Sequence, residues 1–342
     1  MSDRVRIGII GAGRIGTVHA RALCTMVPGA KVMAISDVVE PAAAKVAAEY
    51  TIPKSTPDYR DLLKDKNIDA VFICSSTDTH ANIMAEAAAS GKHIFCEKPI
   101  ALDLEKIDEA LAAVEEAGVT LMVGFNRRYD AGNKRIRDAM LAGDIGTPEM
   151  CVINSRDPAP PPMDYVKVSG GIFLDMMIHD FDLARYLLDD EPEEIYVAAA
   201  CLVDGKIGDL GDYDTAMATI KFKKGALCHI DNSRRAVYGY DQRAEIFGSK
   251  GKVFTLDLHN DNSEAAFVDG FRRPPIQNFF LERYMQAYQD EGKYFVECVR
   301  DGKKPLSGGY DGLISVVMGY AAIKSARENR PVKVSEIRQG RT

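Results

Sequence analysis

The sequence predicts an α/β protein with two domains. The N-terminal domain has a doubly wound parallel sheet, and the C-terminal α+β domain has a large, mainly antiparallel open sheet. Strand-like and helix-like segments alternate through the first third of the 342-residue chain. A glycine-rich turn joins the first strand to the first helix. After residue 124 strand-like segments separated by polar turns dominate, so we place the domains at residues 1–124 and 125–342.

Short apolar runs predict the strands of the first domain, because strands buried on both faces are continuously apolar. A helical segment between two of them stops at Gly91, and another begins after the expected N-cap Asp103 and stops at Gly118. In such sheets ligands bind at the carboxyl ends of the strands. The predicted strands are Val5–Ile10, Lys31–Ser36, Asp69–Cys74, His93–Cys96 and Val119–Val123.

The turn after the first strand matches the pattern Gly-x-Gly-x-x-Gly. Gly11 permits the tight turn, Gly13 lets the backbone approach a pyrophosphate, and Gly16 lets the helix pack closely on the strand. Asp37 ends the second strand about 20 positions later, where an acid accepts hydrogen bonds from ribose hydroxyls. Val38 rather than a basic residue follows it, so the pattern predicts a Rossmann domain that binds NAD rather than NADP. The alternative is a tight turn without a ligand.

Polar residues follow two further strands of this domain at their carboxyl ends. Together with the glycine turn they are the expected cofactor-binding residues: Gly11, Gly13, Arg14, Ile15, Gly16, Asp37, Ser75, Ser76, His80 and Glu97. Lys98 follows Glu97, and Pro99 restricts the backbone before it. Lys98 could be a surface lysine in a turn, but its place at a strand end favours a role in the site.

The second half of the chain predicts a different architecture. Hairpin-like turns join several of its strands, so one face of the sheet should pack on helices and the other should be solvated or meet another subunit. The proline-rich segment 157–162 is expected to be a loop, and helices are expected near residues 281–301 and 309–329. The predicted strands are Glu149–Arg156, Glu194–Val203, Thr215–Phe222, Ala226–Ser233, Gln242–Gly248 and Lys252–Leu256.

Asp175 and His179 lie in an apolar segment that opens with two glycines and has helical spacing. Four residues apart on a helix, both side chains project from one face. A carboxylate beside an imidazole can handle a proton, because the acid orients the ring. The alternatives are two solvated residues of an amphipathic helix, or two metal ligands. No third His or Cys stands nearby in sequence, so we predict no metal site.

The composition limits the classes of protein to which the chain can belong. The chain is 46% hydrophobic and 27% charged, as in an ordinary globular protein. Its net charge of −7 argues against binding nucleic acid. The seven cysteines include no Cys-x-x-Cys pair, which suits a reducing cytoplasm. We expect no signal peptide and no membrane span.

The glycine turn, Glu97-Lys98-Pro99, and the segment from Gly170 to Asp180 occur in one order and at characteristic separations. In these motifs the chain resembles the glucose–fructose oxidoreductase/inositol dehydrogenase (Gfo/Idh/MocA) family of NAD(P)-dependent sugar and polyol dehydrogenases, over essentially its whole length. Four segments are most similar to the inositol-oxidising members: residues 75–80, 124–130, 155–162 and 238–240.

The resemblance implies a two-domain enzyme whose second domain completes the site and builds a homotetramer through its sheet. The family's catalytic residues fall on Lys98, Asp175 and His179, and residues that hold substrate hydroxyls match three loop positions: Arg127, Asp157 and Tyr240. The expected reaction is NAD-dependent oxidation of myo-inositol at C2, with His179 as the base. Asn126 lies where inositol dehydrogenases vary. The alternatives are scyllo-inositol, D-chiro-inositol, glucose or another sugar as substrate, or a non-catalytic NAD-binding sensor.

Overall fold

The computed structural model describes residues 4–338, which form two compact units. The first unit contains the residues up to Tyr129 together with Met285–Ile314, and the second contains Asp130–Tyr284 and the residues from Ser315 onward. The predicted division placed everything after residue 124 in the second domain. In the structure the segment Met285–Ile314 instead packs within the first unit.

The first unit is built on a six-stranded sheet in which every pairing is parallel. Its strands are β1 (Val5–Ile10), β2 (Ala30–Ser36), β3 (Lys54–Thr56), β4 (Ala70–Ile73), β5 (His93–Glu97) and β6 (Leu121–Gly124). The strand order is β3-β2-β1-β4-β5-β6. This order is that of a doubly wound sheet, the predicted architecture, and its direction reverses between β1 and β4, where such sheets bind ligands. Only the short β3 was not predicted.

Five helices connect these strands, and a 3₁₀ turn follows the last of them. Asp103 caps the N-terminus of the fifth helix by accepting a hydrogen bond from the Glu105 N–H, and Gly118 ends that helix with a φ of 62°. Both caps were predicted from the sequence. The elements are α1 (Arg14–Thr25), α2 (Glu40–Tyr50), α3 (Arg60–Lys64), α4 (Thr77–Ala89), α5 (Leu104–Ala117) and the 3₁₀ turn Asn126–Tyr129.

The second unit contains a seven-stranded mixed sheet and a small hairpin. Its strands are β7 (Pro148–Arg156), β8 (Pro192–Ala200), β9 (Thr215–Phe222), β10 (Leu227–Ser233), β11 (Asp241–Gly248), β12 (Gly251–Phe254), β13 (Ala265–Phe267), β14 (Gly270–Arg272) and β15 (Val332–Lys333). The order is β12-β11-β7-β10-β9-β8-β15, with β13 and β14 paired separately. The β7–β10 pair is parallel and the other pairs are antiparallel, in agreement with the predicted mainly antiparallel sheet.

One face of this sheet carries exposed apolar side chains. Met150 is exposed on β7, and its register partners Leu227 and Phe247 are exposed on the two neighbouring strands. The other face is buried and includes Ile153 and Ile230. The predicted open sheet is therefore present, with a contiguous apolar row on its open face.

The helices of the second unit include the segment with Asp175 and His179, and here the prediction of one continuous α-helix is wrong. Asp175 lies in a π-helical turn, whose Met177 N–H donates to the Ile172 carbonyl at 2.8 Å, whereas His179 lies in the first turn of a separate helix. The elements are α6 (Ala131–Leu141), α7 (Met163–Ser169), the π-helical turn Ile172–Met176, α8 (Ile178–Leu188), α9 (Gly205–Asp209) and α10 (Phe280–Arg283).

The wider turn has a local cause. Gly170 and Gly171 adopt φ angles of 87° and 79°, so the chain leaves α7 in a conformation that favours glycine. The Ile172 N–H then donates to the Asp212 carboxylate at 3.0 Å, which caps the new turn. A Cβ on Gly171 would lie 2.5 Å from the same carboxylate, so the cap requires glycine there.

The chain ends with α11 (Met285–Asp301), α12 (Gly309–Glu328) and the 3₁₀ turn Val334–Ile337. Within the first unit, Phe295 of α11 makes edge contacts with Phe72 and Phe95 at ring distances of 5.1 and 5.9 Å. Phe72 and Phe95 stack on each other at 4.4 Å. This aromatic cluster is one of the contacts that hold α11 in the first unit. Within residues 4–338, no helix has the length and apolar character needed to cross a membrane.

Candidate active site

The glycine turn connects β1 to α1 as predicted. Gly11 has a φ of 104°, and a Cβ there would lie 2.5 Å from the Cys74 carbonyl oxygen. A Cβ on Gly16 would lie 1.9 Å from the Gly11 carbonyl oxygen, so the turn itself requires both glycines. A Cβ on Gly13 would meet no atom within 4 Å. Gly13 therefore has no packing reason to be glycine, and its exposed backbone suits a closely bound phosphate.

Asp37 is held beside this turn at the end of β2. The Ala12 N–H donates to Oδ2 of Asp37 at 2.7 Å, and the Val39 N–H donates to Oδ1 at 2.9 Å. Each oxygen keeps a further lone pair for a ribose hydroxyl. The adjacent Val38 is 88% exposed and carries no charge. These residues fit a dinucleotide with a free 2′-hydroxyl.

Two buried histidines support the turn that carries Lys98. His19 Nε2 donates to Oε1 of Glu97 at 2.7 Å, and the Lys98 N–H donates to the other oxygen of Glu97 at 3.3 Å. The ring nitrogens of His80 lie 2.8 Å from the Pro99 carbonyl oxygen and 3.0 Å from that of Ser75. Burial lowers the pKa of His80, although both carbonyl groups oppose the shift. The turn is thus anchored from two sides.

The remaining predicted residues of the first unit lie at the same edge of its sheet. Ser75 follows β4 and shares a 2.7 Å hydrogen bond with the Thr79 hydroxyl, and Ser76 precedes α4. Arg14 and Ile15 begin α1. Arg127 is buried in the 3₁₀ turn after β6. The fold therefore gathers the predicted cofactor residues, Lys98 and Arg127 at the carboxyl ends of the parallel strands, while their individual roles stay predictions.

In the second unit, Asp157 and Tyr240 lie at one end of the mixed sheet. Asp157 follows β7 and Tyr240 precedes β11, and the antiparallel register of these strands makes the two positions neighbours. The Asp157 N–H donates to the Ser233 carbonyl at 2.9 Å. Tyr240 is buried, with its ring perpendicular to that of Tyr284 at 6.1 Å. Two of the three predicted substrate residues are therefore close in the fold.

Asp175 lies at this same end of the sheet. The Tyr165 hydroxyl donates to Oδ1 of Asp175 at 2.7 Å, and the two terminal nitrogens of Arg234 lie 3.4 and 3.5 Å from Oδ2. Arg234 directly follows β10. The sequence interpretation missed both Tyr165 and Arg234. The signal for Arg234 was its place after a predicted strand, the same signal that singled out Lys98.

His179 follows Asp175 by four residues and is half-buried at the start of α8. The next residue, Asp180, is completely buried and accepts a 2.9 Å hydrogen bond from the Asn232 amide of β10. This bond ties the start of α8 to the strand that leads to Arg234. Asn232 of β10 and Arg234, just after the strand, therefore contact the two parts of the segment that contains the predicted proton-handling pair.

The connection between β8 and β9, residues 201–214, supports a prediction about stability. Asp214 is completely buried and accepts hydrogen bonds from the N–H groups of Leu202, Val203 and Asp204 at 2.7–2.9 Å. Burial raises its pKa, but these bonds outweigh that effect and lower the pKa to about 2. We expect Asp214→Asn to lower the free energy of unfolding by roughly 2 kcal/mol at neutral pH.

The pH dependence has a definite sign, because the pKa of Asp214 in the folded state lies below the usual value of 3.8. Its contribution is complete above that usual value and disappears as the pH falls through about 2. Urea unfolding at several pH values should therefore show the difference between variant and wild type shrinking in acid. Asp209→Asn, at the exposed last position of α9, is the control. Equal stability of the two variants at neutral pH would contradict the prediction.

No cluster of three or more His, Cys, Asp or Glu side chains is arranged to hold a metal ion within the described residues 4–338.

Comparison with known proteins shows which family the chain is similar to. Residues 5–125 match the model of an oxidoreductase family with an NAD-binding Rossmann fold, and residues 133–254 match the GFO/IDH/MocA C-terminal domain.

The relatives are similar over nearly their full length. A myo-inositol 2-dehydrogenase of Thermotoga maritima is 47% identical, over 97% of this chain and 99% of its own. A scyllo-inositol 2-dehydrogenase (NAD(+)) of Bacillus subtilis is 38% identical, over 98% and 97% of the two chains. The crystal structure of a myo-inositol dehydrogenase from Lactobacillus casei in complex with NAD(H) and myo-inositol has a TM-score of 0.86, with 27% identity and 96% of each chain covered.

Proposed function

The chain belongs to the GFO/IDH/MocA family of oxidoreductases, and on that premise we propose that it is an NAD-dependent inositol 2-dehydrogenase. The proposed reaction oxidises myo-inositol at C2 to the 2-keto product. The observation that carries the proposal is the near full-length similarity to the myo-inositol 2-dehydrogenase of Thermotoga maritima. The anchored Lys98 turn and the hydrogen-bonded Asp175 support a reaction that moves a proton from a hydroxyl group.

We assign cofactor binding to the domain of residues 1–124, and substrate binding with oligomerisation to residues 125–342, apart from the segment Met285–Ile314 that packs within the first unit. The amides of the glycine turn and the N-terminus of α1 would hold the pyrophosphate, and Asp37 would hold the adenosine ribose. When bound, NAD supplies the hydride acceptor. The further proposed cofactor contacts come from Arg14, Ile15, Ser75, Ser76, His80 and Glu97.

The proposed chemistry oxidises one CH–OH group of the substrate by removing a hydride from its carbon and a proton from its oxygen. His179 takes the hydroxyl proton, because a neutral imidazole is a base near neutral pH. Asp175 orients the ring and stabilises the imidazolium that forms. Lys98 donates a hydrogen bond to the reacting oxygen and so favours its developing negative charge. Residues Arg127, Asp157 and Tyr240 hold the other hydroxyls in place.

The experiment that tests this function follows NADH absorbance with myo-inositol, scyllo-inositol, D-chiro-inositol and glucose, each with NAD and with NADP. Preference for myo-inositol with NAD is the expected result. Preference for scyllo-inositol would transfer the proposal to the activity named for the Bacillus subtilis relative. Binding of NAD without oxidation of any of these substrates would contradict the proposal and favour a sensor.

Cofactor choice gives a more specific prediction. We expect Asp37→Ser to narrow the preference for NAD over NADP by about 10-fold or more, because the carboxylate repels a 2′-phosphate and its loss removes that repulsion. The ratio of kcat/KM for the two cofactors measures the change. Asp37→Asn is the matched variant, since it keeps the side-chain shape without the charge. An unchanged ratio in both variants would remove Asp37 from cofactor selection.

We further propose a cytoplasmic homotetramer that does not bind nucleic acid, with subunits joined through the open face of the second unit's sheet. The contiguous row of Met150, Leu227 and Phe247 supports this, because large exposed apolar patches mark contact surfaces. Sedimentation velocity at working concentration should show four subunits. A monomer would contradict the proposal.

A further inference from the structure

Arg234 is the largest fully buried side chain among residues 4–338, with 1% of its surface exposed. Its two terminal nitrogens face Oδ2 of Asp175 at 3.4 and 3.5 Å. Its Nε is also buried and has no hydrogen-bond acceptor among the described residues. The guanidinium is thus enclosed in the protein with the Asp175 carboxylate as its ion-pair partner.

Burying this cation has an energetic cost that a methionine of similar length would avoid. Packing alone therefore does not explain an arginine at this position. A strongly buried charge beside another ionisable group, at the end of a strand, is typical of functional sites. The contact joins residues 59 positions apart, so it depends on the fold of the second unit.

The two oxygens of Asp175 have different donors. Oδ1 accepts the Tyr165 hydroxyl, and Oδ2 faces Arg234. Together these donors fix the plane of the carboxylate and lie next to its negative charge. Two other acids near this segment have separate partners: Asp212 accepts the Ile172 N–H, and Asp180 accepts the Asn232 amide.

We propose that Arg234 is a positioning residue that acts through Asp175. It holds the Asp175 carboxylate in one orientation, and its positive charge limits how strongly Asp175 draws a proton onto His179. The imidazole then stays neutral at working pH and can accept the hydroxyl proton. The reaction in this inference rests on the proposed function, whereas the contact itself rests on the structure.

The test replaces Arg234 by methionine, which keeps the length and removes the charge. We expect kcat for myo-inositol to fall about 10- to 100-fold while KM for NAD stays within about twofold. We expect the acid limb of the kcat/KM profile to move upward by about half a pH unit or more, because loss of a nearby cation makes His179 easier to protonate. A purely structural role would not move this limb.

Two further variants provide the comparison. Arg234→Lys keeps the positive charge, so its acid limb should stay near that of the wild type even if kcat falls. Arg235→Met makes the same chemical change at the adjacent exposed position and should leave both kcat and the limb unchanged. If Arg234→Met does not fold, as judged by circular dichroism, Arg234→Gln removes the charge while keeping a polar side chain.

A second readout needs no substrate. The chain has six histidines, so ring signals can be titrated by NMR, with His179→Gln used to assign the signal of His179. The titration midpoint of His179 should rise in Arg234→Met and not in Arg235→Met. If this occurs while the wild type oxidises none of the polyols, the inference stands and the proposed function fails. If the wild type oxidises myo-inositol but both the midpoint and the acid limb are unchanged in Arg234→Met, the inference is overturned.

Discussion

Replacing His179 by asparagine should lower kcat for inositol oxidation by about 10²- to 10⁴-fold, the usual contribution of a positioned general base. Asparagine keeps a polar side chain but cannot accept the hydroxyl proton. The position is half-buried at the start of α8, whose next residue is bonded to β10, so the helix should remain in place. Steady-state kinetics across pH measure the effect, and the acid limb that reports the base should disappear.

The matched control is His229→Asn, because His229 lies on β10 at a half-buried position and has no role in the proposed site. It should keep wild-type turnover. Binding of NADH, measured by its fluorescence, should be unchanged in both variants, since His179 is proposed to act on the substrate. Wild-type turnover of His179→Asn would remove this residue from the chemistry and leave the hydroxyl proton without a proposed acceptor.

Replacing Lys98 by methionine should lower kcat by about 10²- to 10³-fold, the usual effect of losing one donor to a developing oxyanion. The anchors of the turn involve the Lys98 backbone N–H, the Glu97 carboxylate and the Pro99 carbonyl. The side chain can therefore be changed while these anchors stay in place. The result to measure is a loss in kcat with the affinity for NADH retained.

Lys106→Met, at an exposed position on α5, is the control for the loss of a positive charge from this unit. Its turnover should equal that of the wild type. The pH profile separates Lys98 from His179, because Lys98→Met should keep the acid limb assigned to the base. A Lys98→Met enzyme that loses NADH binding in proportion to its turnover would indicate a cofactor-binding role instead.

Local sequence patterns determined most of the first unit. Apolar runs located five of its six strands, and Asp103 and Gly118 marked the ends of α5 because caps depend on neighbouring residues alone. The glycine turn was equally readable, since Gly11 and Gly16 are required by contacts within one strand–turn–helix unit and its neighbouring strand. Lys98 was found because a polar residue after a buried strand lies at a predictable edge of the sheet.

Tertiary structure decided what depends on contacts distant in sequence. The Arg234–Asp175 pair spans 59 positions and the His19–Glu97 pair spans 78, so no local pattern connects them. The π-helical turn at Asp175 depends on a cap from Asp212, 40 positions away from Ile172. Likewise, α11 has an ordinary helical pattern, and long-range contacts such as the packing of Phe295 on Phe72 and Phe95 assign it to the first unit. Sequence thus determined most of the elements and most of the candidate residues, whereas long-range packing decided which charges face one another.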